Sequence, residues 1–394
     1  MTRTGLPPLR APRDEGCLVD FSLSDEQQAR YERIKTAARE LSSGSAPDGF
    51  RRDDWPKLAS LGLLGAAVPE DHGGSGFGAL DTAMLYEAAA EGCADTGLLF
   101  SAAAHLFACV RPVVEFASAE TCRALLPALC SGELIAANAM TEPEAGSDIS
   151  RLATRATRVD GGYVLDGTKS FVSNGPVADL YVTYATTSPE AAYFSATAFA
   201  VDRDSPGLAP GTPMEKTGLE TCQASRVVFS ECFVPDERVL GFPGQGHLVF
   251  QTSMQWERSC LFAIYLGQQE NLIRQCIQHV REREQFGKRL ADIQPVADRL
   301  ADMKLRLESG RLLLYRACAE IDSGRDPSLW VAMAKFAVSE AAIATALDAA
   351  RIFAGRGYLK EYGIEAAVRD ALPATTFSGT SDIQRQLIAR ELGL

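Results

Sequence analysis

The chain has 394 residues, 46% hydrophobic and 23% charged, with 39 Lys and Arg against 51 Asp and Glu. That length favours two or three domains, and the apolar fraction is that of a folded protein, not a disordered one. A net charge of −12 argues against a general nucleic-acid binder, which needs a basic surface to displace counterions, but leaves room for a local basic patch facing an anionic ligand.

Residues 1–20, MTRTGLPPLRAPRDEGCLVD, contain Arg, Pro and acids but no apolar run, so they read as a loose leader and not as a signal peptide. Ser24-Asp25-Glu26-Gln27 has the spacing of a capping box, in which the Ser hydroxyl and the Gln amide each satisfy an orphan N–H. From 21 to 134 the sequence predicts a helical domain, with its main break at the Gly-rich loop His72-Gly73-Gly74-Ser75-Gly76. Between 135 and 245 the composition shifts to short β-branched and aromatic runs: Tyr163-Val164-Leu165, Leu180 to Tyr184, Thr197 to Val201 and Val227-Val228-Phe229. Asp160-Gly161-Gly162 and Asp204-Ser205-Pro206-Gly207 supply turn chemistry between them. Such spacing predicts a small antiparallel β domain.

The helical period returns from 246 to 394. Ile293, Val296, Leu300, Met303 and Leu307 form one apolar stripe on a long helix, and 328–354 reads as a second, Ala-rich and buried helix. The expected class is therefore α+β in the order α, β, α. No run reaches the roughly 18 apolar residues of a membrane span, so no membrane partner is expected. Ten Cys scattered from Cys17 to Cys318 without a CxxC pair suit free thiols in a reducing compartment, hence a cytoplasmic protein.

Several chemistries are absent. There is no Walker A string and no GxGxxG after a strand, and the four His (72, 105, 247, 279) lack metal-ligand spacing, so no metal site is expected. His105, in an Ala-rich helix, reads as a satisfied core residue. Four strings mix small turn residues with hydroxyls, as close backbone approach to a flat polar ring requires. They are Met140 to Asp148, Gly167 to Gly175, Arg283 to Lys288 and Phe377 to Ser381.

In order and distance, these four strings resemble the acyl-CoA dehydrogenase family, FAD enzymes that oxidise an acyl thioester between Cα and Cβ. The resemblance runs from about Phe21 to the end. It leans to the isovaleryl-CoA dehydrogenase branch and, closer, to flavoproteins that oxidise L-prolyl groups on a peptidyl carrier protein, on the way to pyrrole-containing natural products. The strings Ala102 to Cys109, Trp256-Glu257-Arg258, Met303 to Ser309 and Phe377 to Thr380 carry the closer match. The resemblance implies an N-terminal helical domain, a middle β domain and a C-terminal four-helix bundle.

It also implies roles. Met140 and Thr141 fall where the family borders the flavin pyrimidine, where donors favour the anionic reduced ring. Phe171 stands where a Trp commonly covers the flavin, and Ser173 where a Thr hydroxyl reaches N5. Ser147 lies where the acyl-carrying arm enters, and Arg258 is a further substrate contact. Arg283 and Phe286 match residues that hold the FAD of a neighbouring subunit, Arg by pairing with phosphate. Gly355 and Thr380 match other FAD contacts, as do Arg351 and Asp382, although the family commonly has Gln at those two positions.

The catalytic base is the largest departure. Many members carry Glu where this chain has Ser378, and a Ser hydroxyl cannot remove a Cα proton unaided. The isovaleryl branch places its base at the position of Glu257, and the backbone N–H of Ser378 remains free to bind the thioester oxygen. Taken alone, Glu257 also reads as a surface acid paired with Arg258 or Arg283. The activity implied is FAD-dependent α,β-dehydrogenation of a carrier-tethered aminoacyl thioester, most simply prolyl to pyrrolyl-2-carboxyl. Dioxygen or an electron-transfer flavoprotein would reoxidise the flavin, in a homo-oligomer expected to be a tetramer. An isovaleryl-type enzyme using free CoA esters, or an inactive flavoprotein with a binding role, are the alternatives.

Overall fold

The computed structural model describes residues 22–42, 49–188 and 196–394, so the expected leader at 1–20 lies outside the described residues. The first helices are α1 (Asp25–Ala38), α2 (Trp55–Ser60), α3 (Ala79–Gly92), α4 (Thr96–His105), α5 (Arg111–Phe116) and α6 (Ala119–Ser131). The capping box at Ser24 forms as expected: the Gln27 N–H donates to Ser24 Oγ at 3.2 Å and the Ser24 N–H donates to Gln27 Oε1 at 3.0 Å. Between α4 and α5 the helix widens into a π turn at Leu106–Val110.

The strands follow: β1 (Ala136–Ala139), β2 (Arg155–Val159), β3 (Gly162–Ser173), β4 (Leu180–Thr186), β5 (Ala196–Asp202), β6 (Leu208–Pro210), β7 (Ala224–Pro235) and β8 (Val239–Leu240). Seven lie in the order β6-β7-β3-β2-β4-β5-β8, and β1 joins by pairing with β4. The sheet is mixed, which differs from a purely antiparallel expectation. β1 runs parallel to β4 in the register Ala136↔Leu180, and β2 meets β4 in parallel at Arg155↔Thr186. Parallel neighbours join strands remote in sequence, and no local turn signal announces them.

The remaining elements are α7 (Gly246–Trp256), α8 (Ala263–Glu282), the hairpin β9 (Glu284–Gln285) and β10 (Lys288–Arg289), α9 (Gln294–Asp322), α10 (Ser328–Phe353), α11 (Ile364–Ala371) and α12 (Ser381–Glu391). α3 and α8 cross closely. A Cβ at Gly267 would sit 2.1 Å from the Glu87 carbonyl oxygen, so the crossing depends on glycine. One apolar core runs through both helical regions and includes Tyr86, Phe107, Phe262 and Tyr265. Two stretches, Thr96–Phe116 and Ser328–Tyr358, are long and apolar enough to cross a membrane by composition, but 89% of the first is buried inside the protein. It is a core helix.

His105 is satisfied in that core, as its setting predicts. Its Nδ1 accepts the Ala136 N–H at 3.0 Å and its Nε2 lies 3.2 Å from the Leu129 carbonyl, while burial pushes its pKa down to about 4. With both ring nitrogens engaged, it is not available as a base. None of the nine described cysteines forms a disulfide, and all are buried.

A buried acid joins the β domain to the last helices. Asp370 Oδ1 on α11 accepts the Leu219 N–H at 2.6 Å, and burial, with Asp95 adding repulsion, pushes its pKa from 3.8 up to about 6. A pKa raised by folding contributes stability below the unfolded value and loses it as pH rises through the folded value. Wild-type stability should therefore fall between about pH 4 and pH 6 for this reason, and Asp370→Asn should remove that part of the slope. Urea midpoints at the two pH values measure it; an unchanged slope in the variant assigns the effect elsewhere.

Candidate active site

The central carboxylate belongs to a break in a helix. Immediately after α7 the backbone opens into a second π turn, Glu257–Leu261, a widened geometry that often re-aims a side chain at functional sites. Glu257 is 9% exposed. Across from it runs the turn Phe377–Gly379, which precedes α12. Thr380 fixes where that turn ends, because its hydroxyl accepts the Ile383 N–H at 3.2 Å and caps the helix.

The turn is strained and braced. Ser378 has φ +54° and Gly379 φ +87°; for a non-glycine residue that region costs about 1 kcal/mol. Arg258 Nε donates to the Ser378 carbonyl at 2.8 Å. Gln384 Nε2 donates to the same carbonyl at 3.3 Å and to that of Gly379 at 3.0 Å. A Cβ at Gly379 would lie 2.8 Å from Gln384 Nε2, so a larger residue would push this brace away. The Ser378 hydroxyl donates to Glu257 Oε1. Glu257 Oε2 is buried with no hydrogen-bond partner.

Burial raises the pKa of Glu257 above the ordinary carboxylate range, while the Ser378 hydrogen bond and the Arg258 charge pull it back. Burial likewise lowers that of Arg258. Behind Arg258, the amine of Lys335 on α10 is buried without a hydrogen-bond partner, and burial and the neighbouring guanidinium push its pKa down to about 8. Glu257 is thus buried and not the surface acid of the alternative reading, and Arg258 Nε is engaged by the Ser378 carbonyl.

A second group lies along β1 and β3. The Ser170 N–H donates to the Thr141 carbonyl at 2.8 Å, which sets Thr141 beside Phe171 and, two residues on, Ser173. Beneath them Lys169 is buried: its Nζ donates to the Met140 carbonyl at 3.2 Å, to Glu142 Oε1 at 2.7 Å and to the Tyr184 carbonyl at 2.6 Å. Ser147 is exposed on the loop that follows. One turn of α4 ties this group to the first. Phe100 packs edge-on against Phe377 at 4.8 Å, and the next residue, Ser101, donates to Asn174 Oδ1.

The third group is remote. Arg283 and Phe286 lie beyond the far end of α8, a helix of 20 residues and so about 30 Å long. They cannot share a site with Glu257 of the same chain. His279 stacks on Phe353 at 4.2 Å, which brings that end of α8 to the end of α10, where Arg351 and Gly355 lie. Arg351 pairs with Asp348 at 3.1 Å and Asp382 with Arg385 at 2.7 Å; both residues are exposed, and each keeps polar atoms outside its pair for a ligand.

Two features fit a flat heteroaromatic group with a diphosphate. Phe171 and Phe286 are 68% and 92% exposed, and both are held at positive φ, +55° and +56°. Packing within the chain does not offset that cost, as it would if the rings were core residues. Arg283 forms no ion pair among the described residues. An open groove of about 820 Å³ lies elsewhere, beside Phe116, Tyr163 and Phe242. It contains none of these residues, and its Arg158 and Asp236 are paired with each other.

Three family profiles span nearly all of the described chain: the acyl-CoA dehydrogenase N-terminal domain matches residues 25–133, the middle domain 137–232 and the C-terminal domain 244–393. The chain belongs to the acyl-CoA dehydrogenase family. An L-prolyl peptidyl-carrier-protein dehydrogenase from Pseudomonas fluorescens is 50% identical over 380 residues, covering 95% of this chain and 100% of the relative. An FAD complex of PigA superposes with a TM-score of 0.93 at 40% identity, over 95% of this chain and 99% of that one. The prolyl acyl carrier protein oxidase AnaB does so with a TM-score of 0.93 at 35% identity, over 95% and 100%.

In this member of the acyl-CoA dehydrogenase family the residues without a sequence signal are those behind the turn: Gln384, Lys335, and the Phe100–Phe377 contact. A polar residue one helical turn beyond a cap, or a Lys in an Ala-rich helix, carries no signal by itself. The expectation that position 378 acts through its backbone alone also leaves out the hydroxyl contact with Glu257.

Proposed function

We propose that the protein is an FAD enzyme that oxidises an L-prolyl thioester on a peptidyl carrier protein to the pyrrolyl-2-carboxyl level. The observation that carries the reading is the buried, unpartnered Oε2 of Glu257 opposite a turn that lacks an acid. The prolyl-carrier activity of the relatives supports the substrate class. Met140, Thr141, Phe171 and Ser173 would hold the flavin ring, while Thr380, Gly355, Arg351 and Asp382 would contact the rest of FAD. Arg283 and Phe286 would reach the FAD of a neighbouring subunit in a homotetramer.

Bound FAD supplies the acceptor for the hydride that leaves Cβ. Glu257 takes the Cα proton as general base, and its raised pKa brings its basicity closer to that of the enolate it forms. The backbone N–H of Ser378 donates to the thioester oxygen and stabilises the charge that develops there. Ser147 meets the arm where it enters. Each oxidation removes one proton and one hydride; the first gives a pyrroline and the second the pyrrole. Dioxygen or an electron-transfer flavoprotein would take up the electrons between the two oxidations. The buried free thiols suit a reducing cytoplasm.

Purified protein carrying FAD, offered prolyl-loaded carrier protein and isovaleryl-CoA in parallel, tests the reading by mass spectrometry. Loss of two or four hydrogens from the carrier-bound prolyl group is expected. Oxidation of the CoA ester alone would replace this reading with the isovaleryl-type one. No turnover with either would leave a flavoprotein with a binding role.

A further inference from the structure

We propose that the Ser378 hydroxyl is a positioning residue for the base: by donating to Oε1 of Glu257 it fixes the plane of the carboxylate and leaves Oε2 as the atom that takes the Cα proton. This rests on the reading of Glu257 as the base. Three observations carry it. Ser378 keeps a side chain at φ +54°, where glycine would sit without steric cost, and its hydroxyl is spent on Glu257. The carbonyl of the same residue is held from behind by Arg258 Nε at 2.8 Å and Gln384 Nε2 at 3.3 Å, so the hydroxyl is aimed by a braced backbone. The two oxygens of Glu257 are unlike, one bonded and one buried without a partner.

A carboxylate free to rotate presents either oxygen and spends part of its time misdirected. One held by a charge-assisted hydrogen bond is preorganised. The same bond favours the charged form and opposes the effect of burial, so the base is ionised at lower pH than its burial alone would allow. In the step itself the Cα proton moves to Oε2, the electron pair it leaves forms the Cα=Cβ bond, and the Cβ hydrogen departs with its bonding pair as hydride for the acceptor that bound FAD would supply; the Ser378 proton stays on Oγ. The other charged or titratable groups that interact with Glu257 are Arg258 on its own turn, Cys109 on the facing π turn and Tyr184 on β4, with Lys335 on α10 next to Arg258. None of them bonds the Ser378 hydroxyl.

The test compares Ser378→Gly and Ser378→Ala with wild type and with Glu257→Gln. Each variant is loaded with FAD and mixed anaerobically with prolyl-loaded carrier protein across a pH series. Both Ser378 variants should bind FAD normally, reduce it about 10-fold more slowly and move the acid limb of the rate profile up by about one pH unit. The unfolding midpoint of Ser378→Gly should stay close to that of wild type, because relieved backbone strain offsets the lost hydrogen bond, which separates a lost hydroxyl from a damaged fold. An infrared titration without substrate adds a readout independent of turnover: the carboxyl band that Glu257→Gln abolishes should titrate at higher pH in both variants. Wild-type rate and acid limb in both variants overturn the proposal while leaving Glu257 as base, and so does a shift in only one of them. Near wild-type turnover in Glu257→Gln overturns the base reading and this proposal with it.

Discussion

Glu257→Gln keeps its FAD and loses reduction of the flavin by the prolyl thioester, by about 10²- to 10⁴-fold, the range in which a positioned general base acts. Gln has the shape of Glu, and its Oε1 still accepts the Ser378 hydroxyl, so the turn and the fold stay in place. Among the described residues no buried acid other than Glu257 faces the 377–379 turn unpaired. Position 378 is Ser, and the buried acids elsewhere are committed. Glu87 accepts Arg311 Nε at 2.8 Å and the Tyr315 hydroxyl at 2.9 Å, Glu142 pairs with Lys169, and Asp348 with Arg299 and Arg306. Stopped-flow bleaching of the flavin under anaerobic conditions measures the loss. Reduction near the wild-type rate would remove Glu257 from the chemistry.

Lys169→Met should have the largest effect on stability, about 3–5 kcal/mol, because removing one partner of a buried ion pair leaves the other charge uncompensated. Glu142 is 4% exposed, and it also accepts the Ala153 N–H at 2.6 Å and the Thr154 N–H at 3.0 Å. Those two bonds make the double variant Lys169→Met, Glu142→Leu a poor rescue, since an apolar partner would orphan both backbone donors. The carbonyls of Met140 and Tyr184 also lose the Lys169 ammonium, so the strand edge assigned to the flavin loosens as well. Urea unfolding at fixed FAD concentration measures the loss. A midpoint within error of wild type would show that the site relaxes and admits water.

What the sequence makes legible here is local. The Ser24 capping box, the hairpin turn at Asp160-Gly161-Gly162 and the strand runs from Tyr163 to Phe229 are each decided within a few residues of chain, and they appear where the patterns place them. What stays illegible joins distant residues. Ser378 and Glu257 are 121 positions apart, Ser101 and Asn174 are 73 apart, and the parallel pairing of β1 with β4 has no turn to signal it. Glu257 itself is found through resemblance, because a lone acid on an apolar helix has no pattern. Neither π turn is written in propensities, since Leu106–Val110 and Glu257–Leu261 are made of residue types that also build ordinary helix.

The length of α8 bears on assembly. The carboxylate at one end and the guanidinium of Arg283 at the other are separated by 20 helical residues, too far to serve one ligand. If Arg283 serves the FAD of a neighbouring subunit, a lone folded chain would carry two half-sites and no complete one. Loss of quaternary contacts and loss of the base would then reach the same inactive outcome by different routes, and FAD retention tells them apart.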